Sequence, residues 1–219
     1  MSDISEGPSP AATGRRERNR RRTLRAIERA AIGIACEYGY ASVTVAGICA
    51  RADVARSTFF NYVASVDAAV FGPGLRMIPE EQAMAILDAD PGNIPRALNV
   101  VSLASVGSDT VDPLVMAGRR RLVREQPETL GRWEETFSTL RHQLVDLTAR
   151  WLLAHPERRV LGEGRVVREA LLLANASGAV ATVLMDQWAD AEDAGTFAAG
   201  TADFERGLAD LKRVLAAHG

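Results

Sequence analysis

Arginine, asparagine and hydroxyl side chains placed a few residues apart can bond to base edges and phosphates together. This sequence gathers such groups at Thr44, Arg56, Ser57, Thr58, Asn61, Tyr62 and Ser65. An arginine can bridge the two guanine acceptors, an asparagine can do the same for adenine, and hydroxyls anchor the backbone. The stretch that holds them, residues 44–63, reads TVAGICARADVARSTFFNYV. Thr44 is a good N-cap, and Val45, Ile48, Cys49 and Ala52 put apolar groups on one helical face. Asp53-Val54 interrupts that pattern, and a second helix over 56–63 resumes it with Phe59 and Val63 four residues apart. Ala46, Gly47 and Ala50 would let the two helices cross closely. Two short helices with a tight break form a helix-turn-helix, whose second helix enters the DNA major groove. Arg56, Ser57, Phe60, Asn61 and Tyr62 are its outward positions.

The charge distribution agrees. Residues 1–64 carry ten arginines against six acidic residues, a balance of +4, and the remainder carries sixteen basic against twenty-two acidic, a balance of −6. Only the head is suited to a polyanion. RRERNRRRTLR, residues 15–25, reads either as the solvated start of a helix or as an arm reaching DNA phosphates or a minor groove. Arg20 and Arg22 are its candidate contacts. Residues 1–14, small, polar and rich in Pro and Gly, read as a disordered tail.

Around the motif the elements follow from periodicity and from Gly and Pro punctuation. A first helix is expected over 23–38, with Leu24, Ile27, Ala31, Ile34 and Ala35 on one stripe and Gly39 ending it. Ser65 caps a fourth helix, 66–71, which Gly72-Pro73-Gly74 stops. Helices follow over about 80–87, 95–107, 113–126, 128–155, 165–189 and 202–217, and no alternating strand is found. The fold class is all-α: a three-helix head over 15–65 with a basic N-terminal arm, and a larger helical domain over 66–219 for effector binding and dimerisation. Within the latter, ALLLANASGAVATVLM (170–185) is apolar on nearly every face, so it should be buried all round. A homodimer packed through the last two helices is the expected reason.

Other chemistries find little support. His142, His155 and His218 make no metal-binding or catalytic pattern, and neither a phosphate loop nor a nucleophile elbow occurs. Cys36 and Cys49 have no metal-ligand spacing and read as small buried hydrophobes. Hence no enzyme, no cofactor and no metal site is expected. No apolar run approaches the ~20 residues that cross a bilayer, and the expected location is cytoplasmic, without membrane contact.

Residues 30–71, AAIGIACEYGYASVTVAGICARADVARSTFFNYVASVDAAVF, resemble the N-terminal signature of the tetracycline-repressor (TetR) family of one-component transcription regulators. The resemblance implies that Thr44, Thr58 and Tyr62 hold phosphates while Arg56, Ser57 and Asn61 approach base edges. It also implies a homodimer on a palindromic double-stranded operator, and a small, largely apolar effector that releases it. Met116, Trp133, Phe137, Met185 and Trp188 are candidate pocket residues, though helical spacing also accounts for them as core. Arg120, within Arg119-Arg120-Arg121, is a candidate anchor for an anionic head group. Three consecutive arginines point in different directions, so at least one must face inward or lie at a helix boundary; the plainer reading of the triplet is a solvated face with a salt bridge to Glu125, Glu128 or Glu169. The sequence departs from the family at Asp53 (commonly Gly) and at Ala55 (Ser or Thr), Phe60 (Tyr) and Val66 (Lys), the last three losing polar DNA contacts. Affinity should then lean more on the arginine arm. An effector-independent architectural DNA binder is the alternative.

Overall fold

The computed structural model describes residues 10–106, 112–162, 164–189 and 201–218; the side chains of 10–13, 15, 188 and 189 are not among those described. All regular structure in the described residues is helical. The chain divides into two compact units, Met1–Val70 and Phe71–Gly219.

The first unit opens with α1, Pro10–Tyr38. Proline suits a first helical position, because its missing N–H would have no partner there. The helix therefore starts well before residue 23. The arginine-rich stretch is part of α1, and so are residues 10–14, which had read as tail; residues 1–9 lie outside the described part. Arginine and alanine are strong helix formers, and Glu17 pairs with Arg21 one turn on, at 3.1 Å. Gly39, at φ +87°, ends the helix in a conformation that suits glycine. Ile27, Ala30, Ala31, Ile34 and Ala35 form the buried stripe.

Helix α2, Val45–Ala52, begins as expected at Thr44, whose Oγ1 accepts a hydrogen bond from the Gly47 amide at 3.1 Å. Ile48 is its buried anchor. Ala46 and Ala50 face solvent, so they do not provide the close crossing. Glycines do: a Cβ on Gly33 would lie 2.9 Å from the Arg51 guanidinium, and one on Gly47 would touch Ile34. Asp53 makes the turn in the left-handed region (φ 53°, ψ 51°), the sole non-glycine there among the described residues. Aspartate tolerates that region better than most residues, at some cost relative to glycine. Helix α3, Arg56–Tyr62, follows and buries Phe59 completely. Ser65 then caps α4, Val66–Phe71, accepting from the Ala68 amide at 3.0 Å. Tyr40 donates to Asp67, tying the loop after α1 to α4.

Glu37 and Arg51 clamp α1 to α2 through two hydrogen bonds of 2.5 and 2.8 Å. The Arg51 guanidinium holds the Glu37 carboxyl below its ordinary range. A carboxylate stabilised this way supports the fold above its unfolded-state pKa, and that support is lost as pH falls through the lowered native value. Glu37→Gln should therefore lower the melting temperature of this unit at pH 7. The difference from wild type should shrink as pH falls below the unfolded-state value of about 4.3 and vanish only below the lowered native one, where both chains carry a neutral group.

The second unit comprises α5 (Glu80–Ala89), α6 (Ile94–Val106), α7 (Pro113–Glu125), α8 (Leu130–Ala154), α9 (Val166–Ala189) and α10 (Thr201–His218). Short 3-10 turns at Pro127–Thr129 and Pro156–Arg158 stand where prolines break the expected helices. Helix α9 packs against α6, α7, α8 and α10. Leu87, Leu98, Val101, Leu147, Trp151 and Leu152 form the main core, and Val180, Phe204 and Leu208 a smaller one between α9 and α10. Trp151 donates to Asp88 at 2.8 Å and stacks on His155 just beyond the end of α8. The segment between α4 and α5 is held by hydrogen bonds that backbone N–H groups donate, from Leu75 to the Thr136 carbonyl, from Met77 to Gln143 Oε1 and from Ile78 to Ser105 Oγ.

Within one chain α9 is covered by its neighbours on one side only, and Val167, Leu171, Leu172 and Val183 are 62%, 44%, 57% and 52% exposed on the side expected to meet a second copy. Two expectations fail here. Residues 166–187 of α9 are long and apolar enough, by length and composition, to cross a membrane, although no such run had been expected. The two cysteines are half-buried instead of buried.

Candidate nucleic-acid interface

Helix α3 is anchored from below by Phe59, and what remains of it faces out. Arg56, Ser57, Phe60 and Asn61 are exposed, while Thr58 and Tyr62 are half-buried on its flanks. The Arg56 guanidinium lies 5.7 Å from the centre of the Phe60 ring, one turn on, a cation–π arrangement that restrains a long side chain. Phe60 in turn meets Phe59 edge to face at 5.2 Å. Ala55 stands at the N-cap of α3 and offers no side-chain bond. Thr44 is exposed at the start of α2, where amide hydrogens and the helix dipole favour an anion.

The structure adds a basic feature that the arm reading missed. Arg18, Arg21, Arg22, Arg25, Ala26 and Arg29 line one groove of about 590 Å³ along α1. Arg22 is one of them; Arg20 is not. The signal was available in the spacing, since positions 18, 21, 22, 25 and 29 share one face of an uninterrupted helix. It became readable only once the helix was known to extend through them.

Candidates for an effector site lie in the second unit. Trp133, 6% exposed, meets Phe137 edge to face at 4.8 Å, and Met116 and Met185 are half-buried. Trp188 lies outside the described side chains. Of the arginine triplet, Arg119 turns inward and is 8% exposed, near the Met116 sulfur at 3.7 Å. It also crowds Gly72, where a Cβ would meet its guanidinium at 3.2 Å. Arg120 pairs with Asp186 of α9, and Arg121 with Glu125 at 3.0 Å. Glu169, a possible partner by sequence, instead accepts from the Val160 and Leu161 amides at 2.8 and 3.1 Å. Among the described residues no group of three or more His, Cys, Asp or Glu could hold a metal ion.

No protein-family model matches the chain, and no curated protein matches it. The architecture itself, all-helical with a small N-terminal unit followed by a larger one, is consistent with the TetR-like plan in general and typical of such regulators.

Proposed function

We propose that this chain is a DNA-binding transcription regulator of the TetR type, a homodimer that represses from a palindromic operator until a small, largely apolar effector releases it. The observation that carries this reading is the outer face of α3. It offers an arginine, a serine and an asparagine to solvent from a helix whose opposite side is fixed in a core. Arg56, Ser57 and Asn61 would approach bases, while Thr44, Thr58, Tyr62 and Ser65 would hold phosphates. The exposed apolar side of α9, with Val214 and Leu215 of α10 at 56% and 63% exposure, supports a second copy as the covering partner. Trp133, Phe137, Met116 and Met185 supply the apolar groups that an effector would need, and Arg120 a charge. Release would be a population shift toward dimers whose α3 helices no longer match the ~34 Å spacing of successive major grooves. The chain would act in the cytoplasm, without catalysis and without a cofactor.

Binding of the purified protein to random-sequence duplexes, selected and sequenced at physiological salt, tests the proposal. A recovered palindrome is the expected result and supplies the probe for an effector screen. Retention of random sequence alone would favour the effector-independent architectural alternative. Binding to no duplex even at low salt would refute the reading of α3.

A further inference from the structure

Resting on the DNA-binding reading above, we infer that the arginine face of α1 is a second, sequence-independent site for the phosphate backbone of duplex DNA. Five guanidinium side chains, from Arg18, Arg21, Arg22, Arg25 and Arg29, line one groove over three turns of a single helix. A flexible arm of the same composition would have to be ordered on binding; here the helix holds the charges in place beforehand. Arg18 and Ile27, nine residues apart, stand on opposite sides of α1 at 3.6 residues per turn, and Ile27 is fully buried. The arginine face thus points away from the core stripe. Arg18, Arg22 and Arg29 are exposed, and Arg21 and Arg25 half-buried. The Glu17 carboxylate beside Arg21 is itself exposed, in an ion pair that a phosphate can displace.

A row of arginines along a helix edge matches a strand of phosphates better than it matches base edges. Its lining is arginine with one alanine, so it offers donors alone, which suit a continuous run of phosphate oxygens, and it has no amide or carboxylate to pair with adenine or cytosine. The face therefore supplies affinity and salt dependence, while α3 supplies sequence preference. It offsets the polar contacts missing at Ala55, Phe60 and Val66. Arg16 and Arg20 lie on the other side of the helix, and are also exposed, so they have the same charge without the same placement.

Two charge-matched variants of the full-length chain separate placement from charge: Arg18→Gln/Arg22→Gln on the face, and Arg16→Gln/Arg20→Gln off it. Glutamine keeps helix propensity, and circular dichroism checks that α1 persists. Binding to a 30-base-pair random-sequence duplex is measured from 50 to 300 mM salt, alongside the palindrome recovered by selection. The on-face pair is expected to flatten the log–log salt slope by about 1.8 per bound protomer. At 0.15 M salt it should weaken binding about 30-fold for each bound protomer, equally on both duplexes. The off-face pair should show a much smaller change. Arg29→Gln, farther along the packed part of α1, should flatten the slope by about 0.9. Equal losses from the two pairs would overturn the inference in favour of net charge alone. No loss from the on-face pair or Arg29→Gln, with the wild type still selecting its palindrome, would overturn it and leave the regulator standing. A wild type that binds heparin but no duplex would overturn both.

Discussion

Phe59→Ala is expected to unfold the N-terminal unit at room temperature while the C-terminal unit stays folded. Among the described residues of the first unit Phe59 is the largest fully buried side chain, and it joins α3 to the core. Truncating a buried phenylalanine costs about 3–5 kcal/mol, and a unit of this size rarely has more than about 3–5 kcal/mol to lose. The chain carries its own reporters for the two halves. All three tyrosines, Tyr38, Tyr40 and Tyr62, lie in the first unit, and all three tryptophans, Trp133, Trp151 and Trp188, in the second. Tyrosine absorbance should report a lost transition while tryptophan fluorescence keeps its own, so the two probes must not be fitted as one two-state process. Phe60→Ala is the control: that ring is 50% exposed, and its loss should cost under about 1 kcal/mol. Simultaneous loss of both signals would show that the second unit depends on the first for its stability.

Arg56→Ala should cost the largest share of sequence discrimination, provided that α3 reads the operator. A bidentate arginine–guanine contact is worth about 1–3 kcal/mol of discrimination, or roughly 5- to 150-fold in affinity at each half-site. Stacking over Phe60 restrains the guanidinium before binding, so less freedom is lost when it docks. Arg56→Lys separates the fork from the charge, because lysine retains the attraction to DNA but cannot pair bidentately. Competition between the selected operator and single-base variants should show preference relaxed at one position per half-site for both substitutions. The salt slope should fall for alanine only. Uniform weakening across all sequences would instead identify Arg56 as a phosphate contact, and Asn61 would become the principal base reader.

Both expectations rest on parts of the molecule with different degrees of legibility. Thr44 as a cap, Phe59 as core and the stops at Gly39 and Gly72 could all be read from the sequence. They depend on local sterics and on apolar groups repeating at the helical period, which a few adjacent residues specify. Pro10 as the start of α1 was hidden because Pro, Gly and Ser in residues 7–14 suggest a tail, while the arginines and alanines after them favour helix. Once that helix is continuous, scattered arginines become one face.

The sequence by itself determined an all-helical chain, the positions of its breaks, and a basic head followed by an acidic body. Those follow from periodicity, from backbone restrictions at Gly and Pro, and from counting charges. Only the tertiary structure decided which arginine of 119–121 turns inward, and that α9 keeps an apolar side uncovered. It also decided that Glu169 serves backbone amides and not an arginine. These outcomes depend on which elements approach from far along the chain. Three consecutive arginines look alike until Gly72 and Met116 leave space for one and Asp186 arrives beside another.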